Sequence, residues 1–257
     1  MGNSNDTYNK VYAKYYDLLN SHKDYVQEAL TLSELIKSSN AESKIKILDV
    51  GCGTGLHAIA LAELSQHQIF GIDISPHVIA EANSKSSDVV FACIPIQDHL
   101  EKNYNFVYSL FNVINCLSSL DELTFFFKSI FDCLSNDGHF FFEAWNQIAV
   151  AEIRPKKVLR EYQHNSQKII RTVVPDLSQI LFQKLKLNYI IDIKEKSKKI
   201  NLFEVTHDIT LFTPMEISHC LTEAGFDKPT FRTALPTLNP ASSSDRMLSV
   251  HVKKNTS

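Results

Sequence analysis

What this sequence lacks already excludes several kinds of protein. Its 257 residues include only five cysteines (Cys52, Cys93, Cys116, Cys133 and Cys220), an odd and scattered set with no CxxC pair. Neither a disulfide framework nor a metal site is expected, and the thiols read as reduced. Neither sign of charge is in excess, since 26 basic and 29 acidic residues leave a net charge of -3. No overall field draws the chain to nucleic acid or to an anionic membrane. No run approaches the roughly 18 apolar residues of a membrane helix, and MGNSNDTYNK lacks an apolar signal core, so a cytoplasmic location is expected. Glycine is scarce, at 7 residues, and no repeat or low-complexity linker is visible. With 44% hydrophobic residues the chain can bury one sizeable core but not several independent ones.

What is present is a change of rhythm. As far as Trp145, short apolar runs (45–50, 68–73, 88–93, 105–110 and 138–145) alternate with helix-like stretches beginning near Leu56, Pro76 and Asp121. Strands apolar at successive positions, joined by crossover helices, predict a doubly wound, mostly parallel sheet covered on both faces. From about Val158 to Phe212 the pattern turns to alternation, which predicts an antiparallel β insertion capping the α/β fold. A helix over Pro214–Ala224, stopped by Gly225, and strands near Thr230–Ala234 and Met247–Lys253 return the chain to the sheet. The expected division is a helical lid over 1–40, an α/β core over 41–150, the cap over 151–212 and the closing elements over 213–257. The first of these carries Tyr8, Tyr12, Tyr15, Tyr16 and Tyr25.

The strongest local signal is ILDVGCGTGLHAIALA, residues 47–62: a strand, three glycines at alternate positions, then a helix. Gly51, Gly53 and Gly55, with Cys52 between them, allow a tight turn and close approach of a ligand at the carboxyl end of the first strand. A dinucleotide fingerprint wants its third glycine where Leu56 stands, which disfavours NAD. Asp73 ends the second strand, where a carboxylate accepts from both ribose hydroxyls of an adenosine, and Ile74 beside it can cover one face of the adenine. Asp49, inside an apolar strand, must be paired, either with the loop amides or with a positive ligand group.

Residues 47–62 resemble motif I of class I methyltransferases dependent on S-adenosylmethionine (SAM), with a Rossmann-like sheet of seven strands. The ordered segments YYDLLNSHKDYVQEA, ILDVGCGTGLH, SLFNVINCL, FFFEAW and THDITLFT narrow this likeness. They are similar to small-molecule methyltransferases that include the N,N-dimethyltransferases of dTDP-linked amino-deoxysugars. The resemblance implies SAM as cofactor, with Tyr16 and Tyr25 on the methionine carboxylate, Gly51 and the backbone of Leu110 or Phe111 along the methionyl chain, and Asp73 on the ribose. It further implies Ile96 over the adenine and its amide or that of Gln97 on a ring nitrogen. Pro95 stands where relatives place an acid, so the adenine amino group loses its expected acceptor.

For the acceptor side the candidates are Tyr8, Asn115, Cys116, Trp145 and His207, with Tyr8 matching a tyrosine near the acceptor amine and Cys116 replacing a histidine of the amino-sugar enzymes. Each has a plainer use: Asn115 and Cys116 can cap a turn and fill a gap, and His207 can be an ordinary core or surface histidine. The activity expected is methyl transfer to the amine of a small molecule, a nucleotide-linked amino sugar first, with another small acceptor or a non-catalytic SAM sensor as alternatives. The expected partner is that small molecule, and a monomer and a homodimer are equally open.

Overall fold

The structure is a computed structural model and describes residues 8–40, 42, 44–86, 88–195 and 198–255. The opening residues 1–7, read above as lacking a signal core, lie outside the described residues. Two helices come first, α1 (Lys10–Leu19) and α2 (Tyr25–Ser39), each begun by an Asx cap: Asn9 accepts from the amides of Val11 and Tyr12, and Asp24 from that of Gln27. The α/β rhythm follows as β1 (Lys46–Val50), α3 (Leu56–Leu64), β2 (Gln68–Asp73), α4 (Pro76–Lys85), β3 (Val90–Cys93), β4 (Tyr104–Ser109), α5 (Leu120–Cys133) and β5 (Leu134–Trp145). A short α6 (Gln147–Glu152) leads into the strands β6 (Val158–His164), β7 (Gln167–Asp176), β8 (Lys184–Glu195) and β9 (Lys198–Thr210). The chain closes with α7 (Pro214–Glu223), β10 (Thr230–Thr233) and β11 (Met247–Lys253).

Seven strands form one sheet in the order β10-β11-β5-β4-β1-β2-β3, in which β11 alone runs antiparallel to its neighbours. Successive residues feed opposite faces. Leu48, Val107, Phe140 and Phe142 pack with α5 and α7, whereas Ile47, Phe106 and Phe141 pack with α2, α3 and α4. That double coverage is why these strands read as unbroken apolar runs. β6 to β9 form a second, wholly antiparallel sheet. Its inner face puts Ile169, Ile191, Ile193 and Val205 against Tyr12 and Leu19 of α1, which explains the alternation.

Three local details qualify this layout. Residues 180–182 are a 3-10 turn that leaves Leu181 and Phe182 exposed, so β8 starts at Lys184. Helix α5 is capped by the Ser119 side chain, which accepts from the Glu122 amide, so Asp121 lies inside its first turn. Ser75 does precede α4 but supplies no side-chain cap; its hydroxyl donates to the Tyr8 carbonyl at 3.2 Å. No described helix is long and apolar enough to cross a membrane.

Candidate active site

In open α/β sheets ligands bind where the strand order reverses, and here that point lies between β1 and β4. The turn after β1 is held by the second strand: the amides of Gly51 and Cys52 both donate to the Ile72 carbonyl, at 2.8 and 3.0 Å. The Gly53 amide donates to Asp73 Oδ2 at 3.0 Å and the Ser75 amide to Asp73 Oδ1 at 2.9 Å. The Gly53 amide thus leans on Asp73 and those of Gly51 and Cys52 on the Ile72 carbonyl. Gly51 and Gly55 adopt φ of +75° and +80°. A Cβ on either would stand within 2.5 Å of Val113 or Phe91.

This turn borders a small cavity, open to solvent, lined by Tyr16, Tyr25, Asp49, Gly51, Cys52, Gly53, Leu110 and Phe111, all anticipated, together with Thr54, Leu56 and His57. Its floor is Asp49, 3% exposed, beside the buried Tyr108 hydroxyl. Burial pushes the Asp49 carboxyl well above the usual range, and Asp73 adds to that. Asp73 is also raised by burial, against the opposing hydrogen bonds of Ser75, Gly53 and Ile74. After β4, Phe111 and Asn112 both take left-handed backbone conformations, and buried Glu143 accepts from the amides of Phe111 (3.4 Å) and Leu235 (3.0 Å).

Beyond Asp73, Ile74 and Gln97 are exposed. Ile96 is 6% exposed and packs into the core with Leu48 and Val50.

The N-terminal helices cover the turn. Asp17 of α1 accepts from the Thr54 hydroxyl and pairs with Lys85 at 2.6 Å, while Lys85 also donates to the Thr54 carbonyl at 3.0 Å. The same end of this helix is tied to the antiparallel sheet: Tyr162 Oη and Arg171 Nη1 both donate to the Leu19 carbonyl at 2.7 Å. Ahead of these ties Tyr8, Tyr12 and Tyr16 join Tyr189 and His207 in a connected aromatic group, with ring centroids 4.7–6.5 Å apart.

Of the acceptor-side candidates, the structure brings Tyr8, Cys116 and His207 to this group. Tyr8 is close enough to Tyr16, Cys116 and Asp73 for each to raise its pKa, behind the larger effect of burial. Cys116 has an exposed surface, while desolvation by the protein around it, with Asp73 adding to the effect, pushes its thiol up to about 11. His207 faces Tyr12 Oη at 3.4 Å, and burial lowers its pKa to about 4, so the ring is neutral at pH 7.

Asn115 is not of this group. Wholly buried, its Nδ2 donates to the Thr210 carbonyl at 2.7 Å and its Oδ1 accepts from the Trp145 amide at 2.9 Å. It is a brace between the two sheets, with no amide group left to face an acceptor. Asn115→Ala leaves Thr210 and Trp145 with unpaired buried groups and is expected to cost about 2–5 kcal/mol. Chemical denaturation measures this; full stability with lost turnover would return Asn115 to the acceptor site. Trp145 packs on Val150, Leu185, Leu187 and Ile209, at the joint between β5 and the second sheet.

Several residues escaped the sequence reading. Glu28 accepts from His57 Nε2 at 2.7 Å and pairs with Lys23 at 3.0 Å, and both carboxyl and imidazole are buried. Burial alone raises the Glu28 carboxyl, but His57 and Lys23 outweigh it and hold it below the usual range. Burial keeps His57 neutral. Asp17 and Thr54 belong with them, and no spacing in the sequence marks any of these partners.

A seven-stranded sheet with one antiparallel strand, a glycine turn at its switch point and a strand-end carboxylate under that turn define a class I methyltransferase core. A methyltransferase domain family model matches residues 22–228, and the chain belongs to that family. Its cofactor is SAM, for which the close-backbone turn, the cavity and the strand-end carboxylate are suited. Among relatives, the Bacillus subtilis protein YqeM is 24% identical over 92% of this chain and 93% of its own length. The dTDP-3-amino-3,6-dideoxy-alpha-D-glucopyranose N,N-dimethyltransferase of Streptomyces fradiae is 25% identical over 85% of this chain and 84% of its own. The crystal structure of Streptomyces venezuelae DesVI superposes with a TM-score of 0.79, at 22% identity, covering 95% of this chain and 98% of that one.

Proposed function

We propose that this methyltransferase acts on the amine of a small molecule, a nucleotide-linked amino sugar first. The observation that carries the reading is the electrostatic character of the cleft around Tyr8. Apart from Asp73, which this reading commits to the ribose, its titratable side chains are tyrosine hydroxyls raised by burial, a thiol at about 11 that stays protonated at pH 7 and an imidazole at about 4, too weakly basic to suit proton removal from an alcohol. An alcohol must lose its proton during attack and needs a base there; an amine attacks through a lone pair once it has shed its proton beforehand. The Streptomyces fradiae relative, named for an amino-sugar substrate, supports this choice.

SAM supplies a methyl group on a sulfonium. In this reading Asp73 holds the ribose, the glycine turn and Phe111 line the methionyl chain, and Tyr16 and Tyr25 stand at its carboxylate. Aromatic faces of Tyr8, Tyr12 and Tyr16 suit the positive charge that passes from sulfur to the acceptor nitrogen. The helices over residues 10–39 and the second sheet exclude water and align donor and acceptor, which for an in-line displacement is the main task.

If alignment supplies most of the rate, Tyr8→Phe and Cys116→Ala each lose less than the roughly 100- to 10,000-fold that removal of an obligatory base costs. Cys116, at about 11, stays protonated from pH 6 to 9, so its removal leaves the profile of kcat against pH unchanged over that window. A drop beyond about 1,000-fold confined to kcat, with one limb of the profile lost, would show a required base and favour a hydroxyl acceptor. The deciding experiment is conversion of SAM to S-adenosylhomocysteine with matched panels of amines and alcohols. Turnover with alcohols alone overturns the amine reading, and tight binding without turnover on any acceptor favours a sensor.

A further inference from the structure

One end of the cavity is ringed by acidic groups. Asp49 forms its floor, Glu143 lies behind the Phe111 amide, and Glu28 touches the lining residue His57. The ligand end expected there is an amino acid, with a carboxylate and an ammonium. Asp49 suits the ammonium. A ligand carboxylate entering among these acidic groups, of which burial raises Asp49 and Glu143, is held best where a cation stands beside it. The hydroxyls of Tyr16 and Tyr25 offer hydrogen bonds but no charge.

Lys23 is that cation. Its Nζ lies 3.6 Å from the centroid of the Phe111 ring and 3.0 Å from Glu28, and its side chain is 18% exposed. Phe111 in turn stacks on Tyr25 at 10° between ring planes, and the His57 ring meets Tyr25 edge-on at 4.8 Å. Tyr25, His57 and Phe111 all line the cavity, so the ammonium is fixed by the wall of the cavity itself. Its field also reaches Glu143, whose carboxyl it lowers against the effect of burial. The other ammonium at the glycine turn, Lys85, is engaged by Asp17 and the Thr54 carbonyl.

We propose that Lys23, held by Glu28 and the Phe111 ring, provides the positive charge that binds the methionyl carboxylate of the cofactor. The proposal rests on SAM as the cofactor. It makes Lys23 more than a neutraliser of Glu28, and that difference can be measured by binding alone. Lys23→Met by itself strands a buried carboxylate, so the informative variant is Lys23→Met combined with Glu28→Gln, which removes both charges of the pair. Calorimetry compares S-adenosylhomocysteine, which has the carboxylate, with 5′-methylthioadenosine, which lacks the amino-acid end.

The double variant should lose roughly 10- to 100-fold in affinity for S-adenosylhomocysteine and less than about threefold for 5′-methylthioadenosine. The wild-type protein should prefer SAM to decarboxylated SAM by a similar factor, and the double variant should have lost most of that preference. Equal losses for both nucleosides, or an undiminished preference for the carboxylate, overturn the proposal while leaving the cofactor assignment intact. If the wild-type protein binds none of the four compounds, the cofactor reading falls and the proposal with it.

Discussion

Asp73→Ala should weaken SAM binding by two to four orders of magnitude. Each ribose hydroxyl bonded to a carboxylate contributes about 1.5–3 kcal/mol, and the substitution removes two such bonds. Asp73 also carries a second duty, since its two oxygens accept from the amides of Gly53 and Ser75. A carboxylate has about four lone-pair positions, so holding the turn leaves room for holding the ribose. Loss of the side chain therefore removes ligand contacts and unmoors the turn together. Asp73→Asn, which keeps one acceptor oxygen, should fall between wild type and Ala. Calorimetric titration of the folded variants decides the matter, and an Ala variant with wild-type affinity would remove Asp73 from the ribose site.

Gly51→Ala is expected to be the most damaging single methyl group in the chain. Its φ of +75° disfavours any residue with a Cβ, at a cost of about 1–2 kcal/mol. The new carbon would also lie 2.4 Å from Val113 Cγ2, and such overpacking costs about 1–3 kcal/mol more. The two contributions separate experimentally. Adding Val113→Ala makes room for the methyl group and should recover the overpacking part but not the backbone part. Denaturant unfolding of the single and double variants measures both. A double variant no more stable than Gly51→Ala alone would mean that Val113 is not the obstacle.

The sheet was legible because its strands bury both faces: Ile47 and Leu48, or Phe141 and Phe142, point opposite ways and are all apolar. The glycine turn and Asp73 were legible because one tight turn and one strand end fix them, within 22 residues of each other. What stayed hidden depends on pairing across distance. Asn115 meets Thr210 from 95 positions away, and Glu28 meets His57 from 29, at a choice of register and packing that no local pattern encodes. Ile96 is a subtler case. Its type suits either an adenine face or a core, and only the 3-10 turn at 96–98 shows how deeply it is set among core residues.

Helix α1 bears on the glycine turn through Asp17 and on the second sheet through the Leu19 carbonyl. The two contacts lie two residues apart in the last turn of the helix, so a displacement of one carries the other with it. Cofactor exchange that lifts this helix off the turn must also strain or break its bonds to Tyr162 and Arg171. Release of the glycine turn and release of the second sheet are therefore expected to occur as one opening rather than two, and where such opening is slow its frequency would cap turnover.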